Sequence, residues 1–368
     1  MNSSTSSILS PFDMKGLSFR NRLAVSPMAR VSATAQGVPT GIMEQYYERY
    51  ARGGFGLIIS EGLYTDEEYS LAYPHQPGVV NDQQAAGWSE VIKRVHANGA
   101  LMFAQIMHAG ALAQGVRLKK DTLGPSAIQP VGRQMPVYYG EGEYQVPREI
   151  TESQIADAIA GFVDTAKRAV QVAGFDGVEI HAANGYLLDQ FLTPRSNART
   201  DRWGGELKNR IALSVDVIKE VRQALQGTVP VGVRVSQGKV NDFKSKWTGG
   251  VADAEVIFGS LVDAGADYLH VTEFEAWAPA FDSTDQSLAR LARRFAPNTP
   301  LIVNGSLHTA ERAEQALADG ADIVALGRGA LANPAFPSKI STGQPLSEFD
   351  PGILGPIANI KPSELNAA

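Results

Sequence analysis

Eight short apolar runs, most of them rich in β-branched residues, recur along the chain at residues 21–25, 55–59, 100–105, 177–180, 230–235, 267–271, 300–303 and 322–326. Helix-length stretches lie between most of them, at 83–98, 151–173, 208–225, 253–264 and 309–319. Strands that alternate with helices pair in parallel, because each crossover helix returns the chain to the edge it left. Eight such units predict an α/β fold closed into a (β/α)8 TIM barrel rather than an open doubly wound sheet. The punctuation agrees: Thr151-Glu-Ser-Gln154 has the form of a capping box, Thr309 can cap the helix before the last strand, and Gly99, Gly174, Gly265 and Gly320 stand as helix stops. A single barrel domain is expected over 11–340. A floppy polar tail is expected at 1–10, and a C-terminal extension at 341–368 that packs on the barrel or on a neighbour.

Two segments exceed a minimal barrel: residues 108–150 after the third strand and 272–287 after the sixth. Loops at the catalytic face of a barrel serve as lids or pocket walls, and the plainer alternative is a surface insertion.

Composition narrows the function. The 368 residues are 44% hydrophobic, enough for one large core. The 33 basic and 39 acidic residues leave a charge of −6 with no basic block, which argues against nucleic acid or a membrane surface as partner. No cysteine is present, so disulfides, thiolate nucleophiles and Cys-ligated zinc or iron–sulfur clusters are excluded. The polar start Met1-Asn-Ser-Ser-Thr-Ser-Ser7 lacks the basic and apolar parts of a secretory signal, and no apolar run reaches the roughly 18 residues of a spanning helix. A cytoplasmic protein, monomeric or homo-oligomeric, acting on a small molecule is expected.

The chemistry concentrates at strand ends. His181-Ala-Ala-Asn184-Gly-Tyr186 follows the fourth run, where two neutral hydrogen-bonding side chains and a phenol can grip a carbonyl and deliver a proton. Singly, His181 reads as a satisfied core histidine and Tyr186 as packing. No metal is expected, since His181 has no His, Asp or Glu partner at ligand spacing. Asn304-Gly305-Ser306 and Gly327-Arg328-Gly329 end the seventh and eighth strands, where barrels commonly bind phosphate. Arg234 lies inside the fifth strand, either in a buried ion pair or against an anion. Gln105 points inward from the third, either satisfying backbone or reading an imide edge. Glu179 reads as a structural partner for such an arginine, and His108 as incidental.

Together, Asn21-Arg-Leu-Ala-Val-Ser-Pro-Met28, Gln105-Ile-Met-His-Ala-Gly110, the His181 to Leu192 stretch, Arg199-Thr-Asp-Arg-Trp-Gly-Gly205 and Ala325-Leu-Gly-Arg-Gly329 resemble the Old Yellow Enzyme family of FMN-dependent ene reductases. The resemblance implies non-covalent FMN reduced by NADPH or NADH. Its phosphate would lie at Asn304, Gly305, Gly327 and Arg328, with Pro27, Met28, Ala29 and Gly62 along the flavin, Gln105 at the pyrimidine edge and Arg234 beside N1. It implies further that His181 and Asn184 bind the carbonyl of an α,β-unsaturated substrate, that the flavin gives hydride to its β-carbon, and that Tyr186 protonates the α-carbon. Ala29 departs from the family, which places Thr or Cys there to bond flavin O4. The loop around Phe274, Trp277 and Phe281 also departs, and reads equally as an aromatic wall of the substrate pocket or as ordinary packing. The alternatives are a related FMN dehydrogenase or demethylase, a non-catalytic flavin redox sensor, and a flavin-free barrel acting on a phosphorylated metabolite.

Overall fold

The computed structural model describes residues 7–114 and 121–365. All eight apolar runs form parallel strands: β1 (Leu23–Val25), β2 (Leu57–Ile59), β3 (Leu101–Met107), β4 (Gly177–Asn184), β5 (Val231–Lys239), β6 (Tyr268–Thr272), β7 (Leu301–Asn304) and β8 (Ile323–Leu326). Val324 of β8 pairs with Leu23 of β1, which closes the sheet into the expected (β/α)8 barrel. Eight helices surround it: α1 (Gly41–Arg52), α2 (Asp82–Ala97), α3 (Glu152–Arg168), α4 (Ala212–Leu225), α5 (Val251–Asp263), α6 (Leu288–Phe295), α7 (Ala310–Ala318) and α8 (Phe336–Thr342). The capping box at Thr151 and Gln154 is formed, and Thr309 accepts from the Arg312 amide. The stretch 208–225, read as one helix, is two: Leu207–Arg210 precedes α4, with a break at Ile211.

Strand alternation sorts the side chains. Val178, Ile180 and Ala182 of β4 face the helical shell, which leaves Glu179 and His181 for the barrel interior. The register then stacks polar groups in tiers. Gln105 lies opposite Glu179, Arg234 opposite both His181 and His270, and Thr272 opposite Asn304. Beneath them an apolar floor of Leu57, Ile59, Phe103, Tyr268 and Ile302 fills the barrel, and the hairpin of Phe12–Met14 with Leu17–Phe19 closes its lower end. Gly232 belongs to this packing, since a Cβ there would lie 2.2 Å from the Tyr268 ring.

Both ends of the described chain hold to the barrel. Residues 1–6 of the expected tail lie outside the described residues. Residues 7–9 form a 3-10 turn that buries Ile8, with the Ser7 hydroxyl bonded to Glu314. At the other end Glu364 is buried between Arg30 (Nη1 to Oε2, 2.7 Å) and Arg49 (Nη2 to Oε2, 3.0 Å). Arg30 also donates to the Ala358 carbonyl at 3.0 Å, so the C-terminal segment packs against the loop after β1. No helix among the described residues is long and apolar enough to cross a membrane.

Candidate active site

β4 ends by turning sharply. Asn184 adopts φ +62° and Gly185 φ +87°, a left-handed pair that asparagine and glycine tolerate. The turn folds Tyr186 back toward the strand, so that its ring meets His181 edge to face, centroids 5.0 Å apart at 75°. The backbone N–H of Asn184 donates to Ser236 Oγ at 2.8 Å, leaving its side-chain amide free of that bond, and the backbone N–H of Leu187 donates to the His108 carbonyl at 2.9 Å, fixing the turn from both sides. His108 itself does not face the site: its Nδ1 accepts the Gly110 amide at 3.1 Å.

Electrostatics suits these groups to uncharged hydrogen bonding. Burial, with Arg234 and His270 nearby, holds the His181 imidazole well below its usual pKa, so it is neutral at physiological pH. Its Nδ1 accepts the Ala183 amide at 3.3 Å, which leaves the proton on Nε2 as a donor. Burial raises the Tyr186 phenol above its ordinary value, so it keeps its proton. The Tyr186 hydroxyl is hydrogen-bonded to that of Tyr73, whose ring stacks on Tyr138 at 4.4 Å.

These three side chains border a cavity of about 270 Å³ at the C-terminal mouth of the barrel. Pro27, Met28, Ala29 and Gly62 form one wall, while Gln105, Arg234, Asn304, Gly327 and Arg328 line the remainder. Glu61 braces the first wall from behind, accepting the Arg30 amide at 2.9 Å. Burial pushes its carboxyl up to about 7, against the opposing pull of the Arg30 amide and guanidinium and the Tyr47 hydroxyl.

Arg234 is not in a buried ion pair. Its Nη2 reaches Thr272 Oγ1 and Asn304 Oδ1, both at 3.2 Å, and its Nε is buried with no partner. Glu179 lies one tier below and makes no direct bond to it. That carboxylate accepts from Gln105 Nε2 and is paired with His270 Nδ1, each at 2.8 Å. Burial alone would raise the Glu179 carboxyl, but His270, Arg234 and Gln105 outweigh it and hold the group below the usual carboxylate range.

The residues present fit FMN. A cavity lined by two guanidiniums without a bonded carboxylate, one carrying an unpartnered buried N–H, calls for an anionic guest. Arg234 would face a ring that gains negative charge, Gln105 would meet an imide edge, and Gly327 and Arg328 would meet a phosphate.

Three expected residues stand elsewhere. Gly305 is not among the lining residues, because its α-carbon is pressed toward the Glu273 carbonyl, where a Cβ would fall at 2.3 Å. Trp277 faces α7, with the Arg312 guanidinium 3.8 Å from its ring, so it does not wall the substrate pocket. Phe274 is 62% exposed and approaches Arg328 at 5.8 Å, outside the cavity lining. Sequence reasoning in turn missed Tyr73, Tyr138 and Gln76. Gln76 donates to the Gly62 carbonyl at 2.6 Å and so shapes the flavin wall. The available signal was the position of Tyr73 and Gln76 in a βα loop, where barrel sites are built.

Ala29 lines the cavity with a methyl group, which cannot donate a hydrogen bond. In Ala29→Thr the new hydroxyl is expected to stabilise the reduced flavin and raise its reduction potential. Anaerobic potentiometry checks this, and an unchanged potential would contradict it.

Residues 7–347 match the sequence profile of the NADH:flavin oxidoreductase / NADH oxidase family. The aldehyde reductase FrzD of Cladobotryum sp is 30% identical over 355 residues, covering 94% of this chain and 90% of that protein. Among solved structures, the Old Yellow Enzyme homologue from Zymomonas mobilis superposes with a TM-score of 0.86 at 31% identity, over 98% of both chains. Morphinone reductase in complex with tetrahydroNAD gives 0.82 at 29% identity, over 94% of this chain and 93% of that one.

Proposed function

The chain belongs to the Old Yellow Enzyme group of the NADH:flavin oxidoreductase / NADH oxidase family, and from that premise we propose that it is an ene reductase acting on α,β-unsaturated carbonyl compounds. The observation that carries the proposal is the convergence of His181, Asn184 and Tyr186 on one cavity with the flavin-binding residues. Flavin binding alone would need none of the three. A mere redox sensor therefore leaves them unexplained.

FMN, when bound, supplies a hydride acceptor for NAD(P)H and a hydride donor for the substrate. The chain supplies the rest. His181 Nε2–H and the Asn184 amide donate to the substrate carbonyl oxygen, which draws electron density from the β-carbon and steadies the enolate oxygen as it forms. Each such donor is worth on the order of 10²–10³ in rate, because it is preorganised in a water-poor site. Neutrality suits His181 to this role, since an imidazolium beside Arg234 would place two cations against each other. Tyr186 then delivers its proton to the α-carbon, and the Tyr73 hydroxyl holds the phenol in position. Arg234 and Gln105 would hold the cofactor ring, with Gly62 and residues 27–29 along the same cavity wall.

The test is the visible spectrum of the purified protein, followed anaerobically. NADPH is expected to bleach the flavin band, and excess 2-cyclohexenone to restore it. Bleaching without recovery would overturn ene reduction and favour the dehydrogenase or sensor readings. A colourless protein that cannot be reconstituted with FMN would overturn both.

A further inference from the structure

A second cavity, of about 340 Å³, lies beside the first and is separated from it by a wall one residue thick. Asn184 and Val240 face the flavin cavity, while their chain neighbours Gly185, Lys239 and Asn241 face the second. The Val240 amide donates to the Asn184 carbonyl at 3.0 Å, tying the two halves of the wall together. Lys239 anchors its foot: the buried ammonium contacts both Asp189 oxygens, at 2.7 and 2.8 Å, and Asp189 also accepts the Gly185 amide at 2.6 Å.

The lip of this cavity is cationic on a chain whose net charge is −6. Four cations line it against the single carboxylate of Asp242. Lys239 is neutralised by Asp189. Arg195 is shared with Asp242 at 3.2 Å and Lys246 with Glu273 at 3.4 Å, and Lys244 has no ion pair among the described residues. The same lining includes Ile128 and Val131, which expose apolar surface at 36% and 42%, a surface suited to a flat ring. Asn241 Oδ1 is buried without a partner at the wall, ready to accept from a ligand hydroxyl or amine.

We propose that this cavity holds the adenosine phosphate tail of the nicotinamide reductant. The inference rests on the flavin reading above. A nicotinamide over the flavin beside Asn184 leaves its cavity across the wall, and the phosphates that follow its ribose then meet Arg195, Lys244 and Lys246. The adenine lies toward Ile128 and Val131.

The experiment uses the FMN-loaded protein in anaerobic stopped flow. In Lys244→Ala and Arg195→Ala, the half-saturating NADPH concentration for flavin reduction is expected to rise about two- to fivefold each, since an exposed charge contact is worth up to about a fivefold change in affinity. The limiting rate should hold, and the effect should shrink as salt screens the contact. Reduction by 1-benzyl-1,4-dihydronicotinamide, which has no phosphate, should be unchanged in both variants. Adenosine 2′,5′-bisphosphate should compete with NADPH in the wild type and compete less well in the variants. Unchanged half-saturation, or an equal loss with the phosphate-free reductant, would overturn the proposal. Binding of the bisphosphate without competition would also overturn it, by assigning the lip to a free anion. Failure of enone turnover with these NADPH effects intact would instead strike the ene-reductase reading.

Discussion

In Tyr186→Phe, reoxidation of the NADPH-reduced protein by 2-cyclohexenone is expected to slow by about 10²–10⁴-fold, the range for loss of a positioned general acid. Reduction by NADPH should be unaffected, because no proton from Tyr186 enters that half-reaction. Phe retains the ring that meets His181 edge to face, so the substitution removes the hydroxyl and little packing. The Tyr73 hydroxyl loses its partner, though it still stacks on Tyr138. An acceptor that needs no proton on carbon separates chemistry from damage: 1,4-benzoquinone takes hydride at oxygen and should be reduced at nearly the wild-type rate. Because burial raises the Tyr186 phenol, the enone rate in the wild type should stay flat through neutral and mildly alkaline pH. A full enone rate in Tyr186→Phe would remove Tyr186 from the mechanism.

The barrel was legible because its strands are short and buried on both faces, which writes them as apolar runs with helix-length gaps. Helix α1 was not, since its sequence Gly-Ile-Met-Glu-Gln-Tyr-Tyr-Glu-Arg-Tyr-Ala-Arg mixes aromatic and charged residues and opens on glycine. The floor hairpin escaped notice because its two three-residue strands each carry an exposed polar residue, Asp13 and Ser18, and so do not read as apolar runs. At the site, residues on strand ends were readable: the alternation that makes Val178 and Ile180 core also fixes Glu179 and His181 as interior. Loop residues were not. Tyr73 and Tyr138 come from segments far apart in sequence and meet at Tyr186 only through the fold. Phe274 and Trp277 were read on residue type as either a pocket wall or ordinary packing, because the direction of a loop side chain follows from backbone turns that no periodicity encodes. The role of Glu179 was half visible. Its burial could be inferred, but the register that gives it Gln105 and His270 rather than Arg234 is a property of the closed sheet.

That register makes Glu179 a residue whose loss should cost heavily in stability. Glu179→Ala strips the acceptor from Gln105 Nε2 and His270 Nδ1 and removes the one carboxylate whose field reaches the buried Arg234. Breaking a buried charge network in this way costs roughly 3–5 kcal/mol, because the groups left behind keep their desolvation without their partner. Urea unfolding should show that loss, and FMN affinity should fall with it, since Gln105 and Arg234 both line the cavity. Glu179→Gln divides the effect into shape and charge. It keeps the volume and one acceptor, so the fold should lose less, but it leaves Arg234 without a compensating negative charge. The reduction potential of bound FMN should therefore rise, as an unbalanced cation favours the anionic reduced ring. The pH dependence follows the same sign. A carboxylate held below its unfolded value contributes stability above the unfolded pKa and gives it up as pH falls through the lower folded value. In the wild type this contribution should accordingly be complete at neutral pH and fall away progressively from the usual carboxylate pKa down to the lower folded value, whereas Glu179→Gln should lack that acid-side step. A Glu179→Ala protein as stable as wild type would mean that the tier of Gln105, Glu179 and His270 does not hold the barrel interior together.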